Sequence, residues 1–255
     1  MKEKLMEHIE ISFGKICPLR CIECANFVPQ SDNYQTMSVN QLISNLNILK
    51  GIDCLPSNVA ISGGELTIVP QVNDLVKICT DYFDNVLLAT NGIFFHKINI
   101  ELLKKIHTKV SIYPLNKELI PLFKKISAKF GIDIIYRDIS WTISHKTGPH
   151  SDTKAQELYD NCNLRLHPMI YQDKLWQCCF GFPSDEIKFI KLDNKLTFQE
   201  VYDMIHYPHF VSRCKTCSYA DMTPVETAGQ PKNYKKIAEG LVLQEKIKLT
   251  QKYNL

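Results

Sequence analysis

Two hydrophobic rhythms take turns along the first 140 residues. Residues 7–16 (EHIEISFGKI) alternate polar with apolar side chains, which predicts a strand running into Cys17. Residues 38–51 open on Ser38, an N-cap signal, place apolar side chains at helical spacing and stop at Gly51. The pair of rhythms then repeats. A strand is predicted at 58–62, a helix at 70–83 with Pro70 near its first turn, and a strand at 85–90. Next come a helix at 98–107, a strand at 109–114, a helix at 117–131 that includes Pro121, and a strand at 132–138. Strands alternating with helices of about 10–15 residues predict right-handed βαβ units around a parallel sheet. In barrels and open α/β sheets alike, ligands bind at the C-terminal ends of such strands. Those ends carry the cysteine segment 17–24, Gly63-Gly64-Glu65 and Thr90-Asn91-Gly92.

Beyond residue 140 the rhythm changes. A polar loop (144–154) leads into a hairpin-like stretch at 166–180, a short helix is predicted at 197–206, and the charged, amphipathic tail 232–252 predicts a surface helix. The expected organisation is a core at 1–140, a cysteine-bearing region at 141–231 and a helical tail at 232–255. No internal repeat or low-complexity stretch interrupts it.

Composition sharpens this picture mainly through cysteine. The chain has 255 residues, 45% of them hydrophobic, enough for a sizeable core, and a net charge of +3. No Lys/Arg stripe interleaved with aromatics suggests nucleic-acid binding, and no apolar run reaches the roughly 18 residues of a membrane span. The charged start lacks the apolar stretch of a signal peptide, so a cytoplasmic protein is expected. In a reducing compartment ten cysteines read as metal ligands or reactive thiols. Three fall at 17, 21 and 24 and five at 162, 178, 179, 214 and 217, while Cys54 and Cys79 stand alone and read as core. The eight histidines show no metal-binding spacing.

Cys17, Cys21 and Cys24 form a CxxxCxxC array. Three thiolates on so tight a loop can grip three corners of an iron–sulfur cube and leave the fourth iron open. The plainer reading is a zinc knot that borrows a distant fourth ligand, since structural zinc closes a tetrahedron. With Gly63-Gly64-Glu65 and Thr90-Asn91-Gly92 following in order, residues 7–140 resemble the radical S-adenosylmethionine (SAM) superfamily. The resemblance implies a partial (β/α)6 TIM-like barrel. It implies that Cys17, Cys21 and Cys24 hold a [4Fe–4S] cluster, and that Gly63, Gly64 and Glu65 pair with the amino group of the SAM methionine. Thr90, Asn91, Ser111 and Tyr113 are then polar groups for the SAM ribose or carboxylate, although Asn91-Gly92 also reads as a simple turn and Ser111 as a polar residue of the barrel interior. Ile134 or Ile135 packs on the adenine or belongs to the core. Glu23 departs from the family, which often has an aromatic residue before the third cysteine. Adenine then leans on Phe27, or Glu23 meets substrate.

Cys162, Cys178 or Cys179, Cys214 and Cys217 supply thiolates for a closed site of four cysteines. Residues 169–179 resemble the hairpin of SPASM/twitch auxiliary-cluster domains, with Asp173 at the turn-glycine position and Cys178 as the ligand. The region's brevity matches the twitch form, which holds one auxiliary cluster, here a second [4Fe–4S]; zinc is the rival occupant. Cys179 is then either a buried small residue or the hydrogen-atom donor to a substrate radical. Trp141, His145 and Lys146 fall near the expected barrel mouth, for substrate or for loop packing.

The resemblance implies reductive cleavage of SAM to a 5′-deoxyadenosyl radical that abstracts hydrogen from a substrate, with electrons from a one-electron reductant such as flavodoxin or ferredoxin. A small molecule is expected, a sugar or nucleotide-sugar undergoing epimerisation, dehydration or oxidation. A peptide-modifying maturase and a non-catalytic iron–sulfur or zinc scaffold are the alternatives.

Overall fold

The computed structural model describes residues 5–24, 26, 28–30, 35–138, 141–142, 149–162, 164–179, 188–217 and 224–255. Five strands, β1 (His8–Ser12), β2 (Asn58–Ser62), β3 (Asn85–Thr90), β4 (His107–Ile112) and β5 (Ile134–Asp138), pair in parallel and in chain order. Helices α1 (Val39–Gly51), α2 (Val72–Tyr82), α3 (Ile100–Leu103) and α4 (Ile120–Phe130) make the crossovers. Local chemistry sets their ends. The Ser38 side chain caps α1 by accepting from the Gln41 amide, Pro121 sits in the first turn of α4 where no helical N–H is lost, and Gly131 closes α4 at φ 67°. Helix α3 is much shorter than its periodicity predicts because His107 already pairs with Leu87 of β3, so the chain must leave the helix to enter β4.

One face of the sheet carries the main core. Ile9, Ile11, Val59, Ile61, Val86, Leu88 and Val110 pack with Leu42, Leu46, Leu49, Leu75, Val76, Phe123 and Ile126 of the helices. Cys54 and Cys79 belong to this core, as expected. Positions between those strand residues, among them Glu10, Ser62, Lys109 and Ser111, carry the polar chemistry. Ile134 is core, while Ile135 is 46% exposed.

After β6 (Trp141–Thr142) and α5 (Asp152–Asp160), strand β7 (Met169–Tyr171) pairs in parallel with β1 on the side away from β2. Antiparallel β8 (Lys174–Trp176) and β9 (Phe189–Lys191) follow. The result is an open eight-stranded sheet, and it runs without a break from the barrel-type strands into the hairpin. Helix α6 (Phe198–Ile205) starts with a capping box between Thr197 and Glu200, and β10 (Pro224–Val225) pairs with β6 in a separate ribbon.

The tail helix α7 (Lys235–Tyr253) docks on the domain. Ala238, Val242, Glu245, Leu249 and Tyr253 recur every three or four residues and are buried. Glu245, 1% exposed, accepts from the His96 amide (3.0 Å) and meets its ring Nδ1 at 2.6 Å, and Lys129 donates to the Tyr253 carbonyl. No helix of the described residues is long and apolar enough to cross a membrane.

Candidate active site

The C-terminal ends of β1–β4 enclose a cavity of 150 Å³. Cys17, Cys21 and Cys24 line it, together with Gly63, Gly64, Glu65, Thr90, Asn91, Ser111 and Tyr113. All ten of these residues, expected from the sequence to touch cluster or SAM, therefore border one space. Phe27 lies outside the described residues, as do His145 and Lys146, and the side chain of Trp141 is likewise not described.

The two glycines that line the cavity also allow a close backbone approach within the protein. A Cβ on Gly64 would collide with the Ile16 carbonyl, and one on Gly63, whose φ is 115°, would strike the Ser12 hydroxyl. The amides of Gly64 and Glu65 donate to the carbonyls of Gly14 (3.0 Å) and Ile16 (2.7 Å). Glycine is needed here so that the loop after β2 can lie against the backbone leading into Cys17.

Glu65 also has a task within the protein. Its carboxylate is 1% exposed and accepts from the Thr67 and Thr90 hydroxyls (2.7 and 2.6 Å) and from the Thr67 and Asn91 amides (3.2 and 2.7 Å). Burial raises its pKa, and these four donors oppose the rise. Thr90 in turn accepts from the Gly92 amide, and Asn91 from the Ile93 amide. Gly92 has φ 77° beneath the Phe123 ring, with no room for a side chain.

Several residues of this site gave no recognisable signal in the sequence. Asn116, fully buried, donates to the carbonyls of Asn91 (2.7 Å) and Ser111 (2.9 Å) and accepts from the Tyr113 amide, tying the loop after β3 to the end of β4. Asn26 donates to the Gly63 carbonyl at 2.5 Å. Lys15 is 1% exposed, and burial pushes its ammonium down to about 8 while Cys24 works in the opposite direction. Gln230 reaches the Cys21 sulfur at 3.1 Å. Their partners are remote in sequence or their types common on surfaces, so no local motif marks them.

Burial pushes the Cys21 thiol up to about 12 and holds Cys17 well above its ordinary value. Burial also raises the Tyr113 phenol, against a hydrogen bond with Ser111. Tyr113 is thus a neutral donor at ordinary pH.

A second cavity, 330 Å³, is ringed by Cys162, Cys178, Cys214 and Cys217. Tyr159, Leu164, Arg165 and Arg213 complete much of its wall. Segments far apart in sequence meet here. Tyr159 donates to the Tyr207 carbonyl (2.5 Å), the His150 amide donates to the Lys215 carbonyl (2.7 Å), and the His150 ring meets the Cys217 carbonyl (3.0 Å). The hairpin turn before Cys178 differs from its expected form, because the left-handed residue is Gln172 (φ 55°) and not Asp173. The Gln172 carbonyl accepts from buried Asn45 of α1 at 2.6 Å, which holds that conformation.

Cys179 does not line this cavity and packs with Met169, Tyr171 and Trp176. It is hydrogen-bonded to Glu10 of β1, which also bonds the Ser62 hydroxyl at the edge of the first cavity. Burial raises the Cys179 thiol well above its ordinary value, and the Glu10 charge adds to this. Among the described residues no three His, Cys, Asp or Glu side chains converge where they would hold a single metal ion.

No protein-family model and no curated protein matches the sequence. Solved structures do. BtrN in complex with AdoMet and 2-DOIA superposes with a TM-score of 0.64 at 16% identity, covering 90% of this chain and 98% of BtrN. Native anSMEcpe with bound AdoMet gives 0.53 at 13% identity, covering 97% of this chain and 100% of that one. The same enzyme with AdoMet and the Cp18Cys peptide gives 0.52 at 12%, covering 97% and 99%. The chain thus has the mixed α/β fold of the radical SAM enzymes BtrN and anSMEcpe, built on an open eight-stranded sheet.

Proposed function

We propose that the chain is a radical SAM enzyme acting on a small molecule, with Cys17, Cys21 and Cys24 holding a [4Fe–4S] cluster and SAM bound beside it. The observation that carries this reading is the single cavity that gathers three cysteines with polar groups from the ends of the next three strands. The residues fit the cluster. Among the described residues the cavity has no histidine and no fourth cysteine in its wall, so one corner of a cube stays open for a cofactor. The buried thiols ionise only with a cation to compensate them, which iron provides. When bound, the reduced cluster and SAM supply a 5′-deoxyadenosyl radical that abstracts a hydrogen atom.

The chain's own residues position and protect. The Glu65–Thr67–Thr90–Asn91 network fixes the two loops that face the cofactor, and Tyr113 offers a phenolic hydrogen. For the second site we assign Cys162, Cys178, Cys214 and Cys217 as ligands of an auxiliary [4Fe–4S] cluster. Four thiols around 330 Å³ suit a cube better than zinc, whose four thiolates lie about 2.3 Å from one ion. Cys179 serves as hydrogen-atom donor in this reading. Its raised pKa keeps the S–H bond intact, and its hydrogen bond to Glu10 links it to Ser62 at the edge of the first cavity.

A sugar or nucleotide-sugar substrate is favoured over a peptide because the BtrN complex, which holds 2-DOIA, matches better than the anSMEcpe complex, which holds a peptide. A flavodoxin- or ferredoxin-like protein would deliver the electron. The test is anaerobic reconstitution with SAM and reductant, measuring 5′-deoxyadenosine with small-molecule or peptide fractions added. Stimulation by small molecules supports the proposal. Stimulation by peptides alone replaces it with a maturase, and absence of 5′-deoxyadenosine under every condition removes the enzymatic reading.

A further inference from the structure

We propose that Gln230 is a positioning residue that tunes the first cluster through the Cys21 sulfur, an inference resting on Cys21 being a cluster ligand as assigned above. Gln230 lies 209 positions from Cys21 in the chain, yet its Nε2 stands 3.1 Å from the sulfur. The orientation of its amide is determined by its neighbours. Oε1 accepts from the Arg20 amide at 2.8 Å, and Nε2 donates to the Ala228 carbonyl at 2.7 Å, so the donor end must face Cys21.

The surrounding backbone makes this more than a chance approach. Ala228, 3% exposed, adopts φ 54°, and the next carbonyl, of Gly229, accepts from the Ile22 amide at 2.9 Å. Tyr234 donates its hydroxyl to the Pro18 carbonyl at 2.8 Å, and the Arg20 guanidinium lies over its ring. The segment 228–234 is thus a strap across the cysteine loop, and it takes up both amides that flank Cys21. The hydrogen bonds to the Cys17 sulfur are longer, 3.5 Å from the Leu19 amide and 3.9 Å from Asn91. A donor on a ligand sulfur stabilises the more negative, reduced cluster and raises its potential. Through Gln230 the C-terminal segment sets how readily the first site accepts its electron.

The test is a redox titration of the reconstituted full chain, following the cluster whose EPR signal responds to SAM. Gln230→Leu removes the donor. Gln230→Glu keeps an acceptor for the Arg20 amide while removing the donor, which guards against a merely loosened loop. Tyr234→Phe loosens the strap without touching the sulfur. Both Gln230 variants should lower the midpoint potential by the equivalent of about a tenfold change in the one-electron equilibrium, ~59 mV. Tyr234→Phe should leave it in place. An unchanged potential in the Gln230 variants overturns the proposal, and so does an equal shift in Tyr234→Phe, which would make the effect one of loop anchoring. If the wild-type chain shows no SAM-responsive cluster, the functional reading fails instead, a different observation.

Discussion

Cys17, Cys21 and Cys24 hang from the end of a parallel sheet, whereas Cys162, Cys178, Cys214 and Cys217 are collected from the end of α5, the chain after β8 and a 3-10 turn at Ser212–Thr216. The first cavity is the smaller, 150 against 330 Å³. A fully buried set of polar side chains braces it: Glu65, Thr67 and Asn116. The second is braced by bonds from α5 and its flanks to segments remote in sequence, such as Tyr159 to Tyr207 and Gln177, Gln156 to Pro208 and Phe210, and His150 to Cys217. The difference concerns what organises each site. On the proposed assignment, the first takes its shape from a buried hydrogen-bond network at the strand ends, while the second would leave more of that work to its cluster, because metal binding to ligands drawn from distant segments is also folding.

Removing metal should therefore split the molecule. With chelation, or in Cys214→Ala, residues 150–162 and 205–217 should lose hydrogen-exchange protection, with more than about 4 kcal/mol of local stability gone. The amides of β1–β4 should stay protected. Uniform loss over both regions would show that the first site also depends on its metal and would erase the contrast.

A second disruption attacks the brace of the first site. Glu65→Ala leaves the Asn91 and Thr67 amides and the Thr90 hydroxyl without their acceptor in a dry interior. The expected cost is about 3 kcal/mol in urea unfolding. Hydrogen exchange at Asn91 and Gly92 should rise with it.

The contrast also explains what the sequence made legible. The βαβ order follows from periodicity, and strands 58–62 and 85–90 match residue for residue because each is a short apolar run cut off by turn residues. The first site was readable because its groups come in short words, CPLRCIEC, GGE and TNG, one per strand end. Asn116, Lys15 and Gln230 were not: Gln230 meets Cys21 and Asn116 meets the Asn91 loop only in space, and no local pattern marks Lys15 as buried. The docking of α7 was hidden for a similar reason, because its buried stripe includes a glutamate whose partner, His96, is 149 residues away. Nor did periodicity reveal that β7 would join β1 and fuse hairpin and core into one sheet, since pairing partners are not written in alternation.

Glu10 lies at the seam between the two sites, bonded to Ser62 on one side and Cys179 on the other. Burial raises its carboxyl above the ordinary range, opposed by those two bonds and by Lys109. The sign follows directly. Between the ordinary carboxylate pKa and the raised folded value, the folded protein binds the proton more tightly than the unfolded chain, so stability falls as pH rises through that window. Glu10→Gln should flatten that fall in thermal melts from mildly acidic to neutral pH. A slope as steep as the parent's would show that the carboxyl is not the group responsible.

The smallest expected effect separates two neighbouring residues of the β7–β8 turn. Hairpin resemblance puts the glycine position at Asp173, but the backbone puts the left-handed residue at Gln172, with φ 55°. A non-glycine side chain there carries strain, so Gln172→Gly should raise stability by about 1 kcal/mol, less the entropy glycine costs in the unfolded chain. Asp173→Gly relieves no such strain and should only lower the melting temperature. The Gln172 carbonyl would still accept from Asn45, so the turn keeps its anchor in α1. Because Cys178 follows this turn by a few residues, the second site should respond as well, with a metal-free form of Gln172→Gly better protected around Trp176 than the metal-free parent. If Asp173→Gly stabilises instead, the turn follows the sequence-based register, and the Cys178 ligand position inherits that register with it.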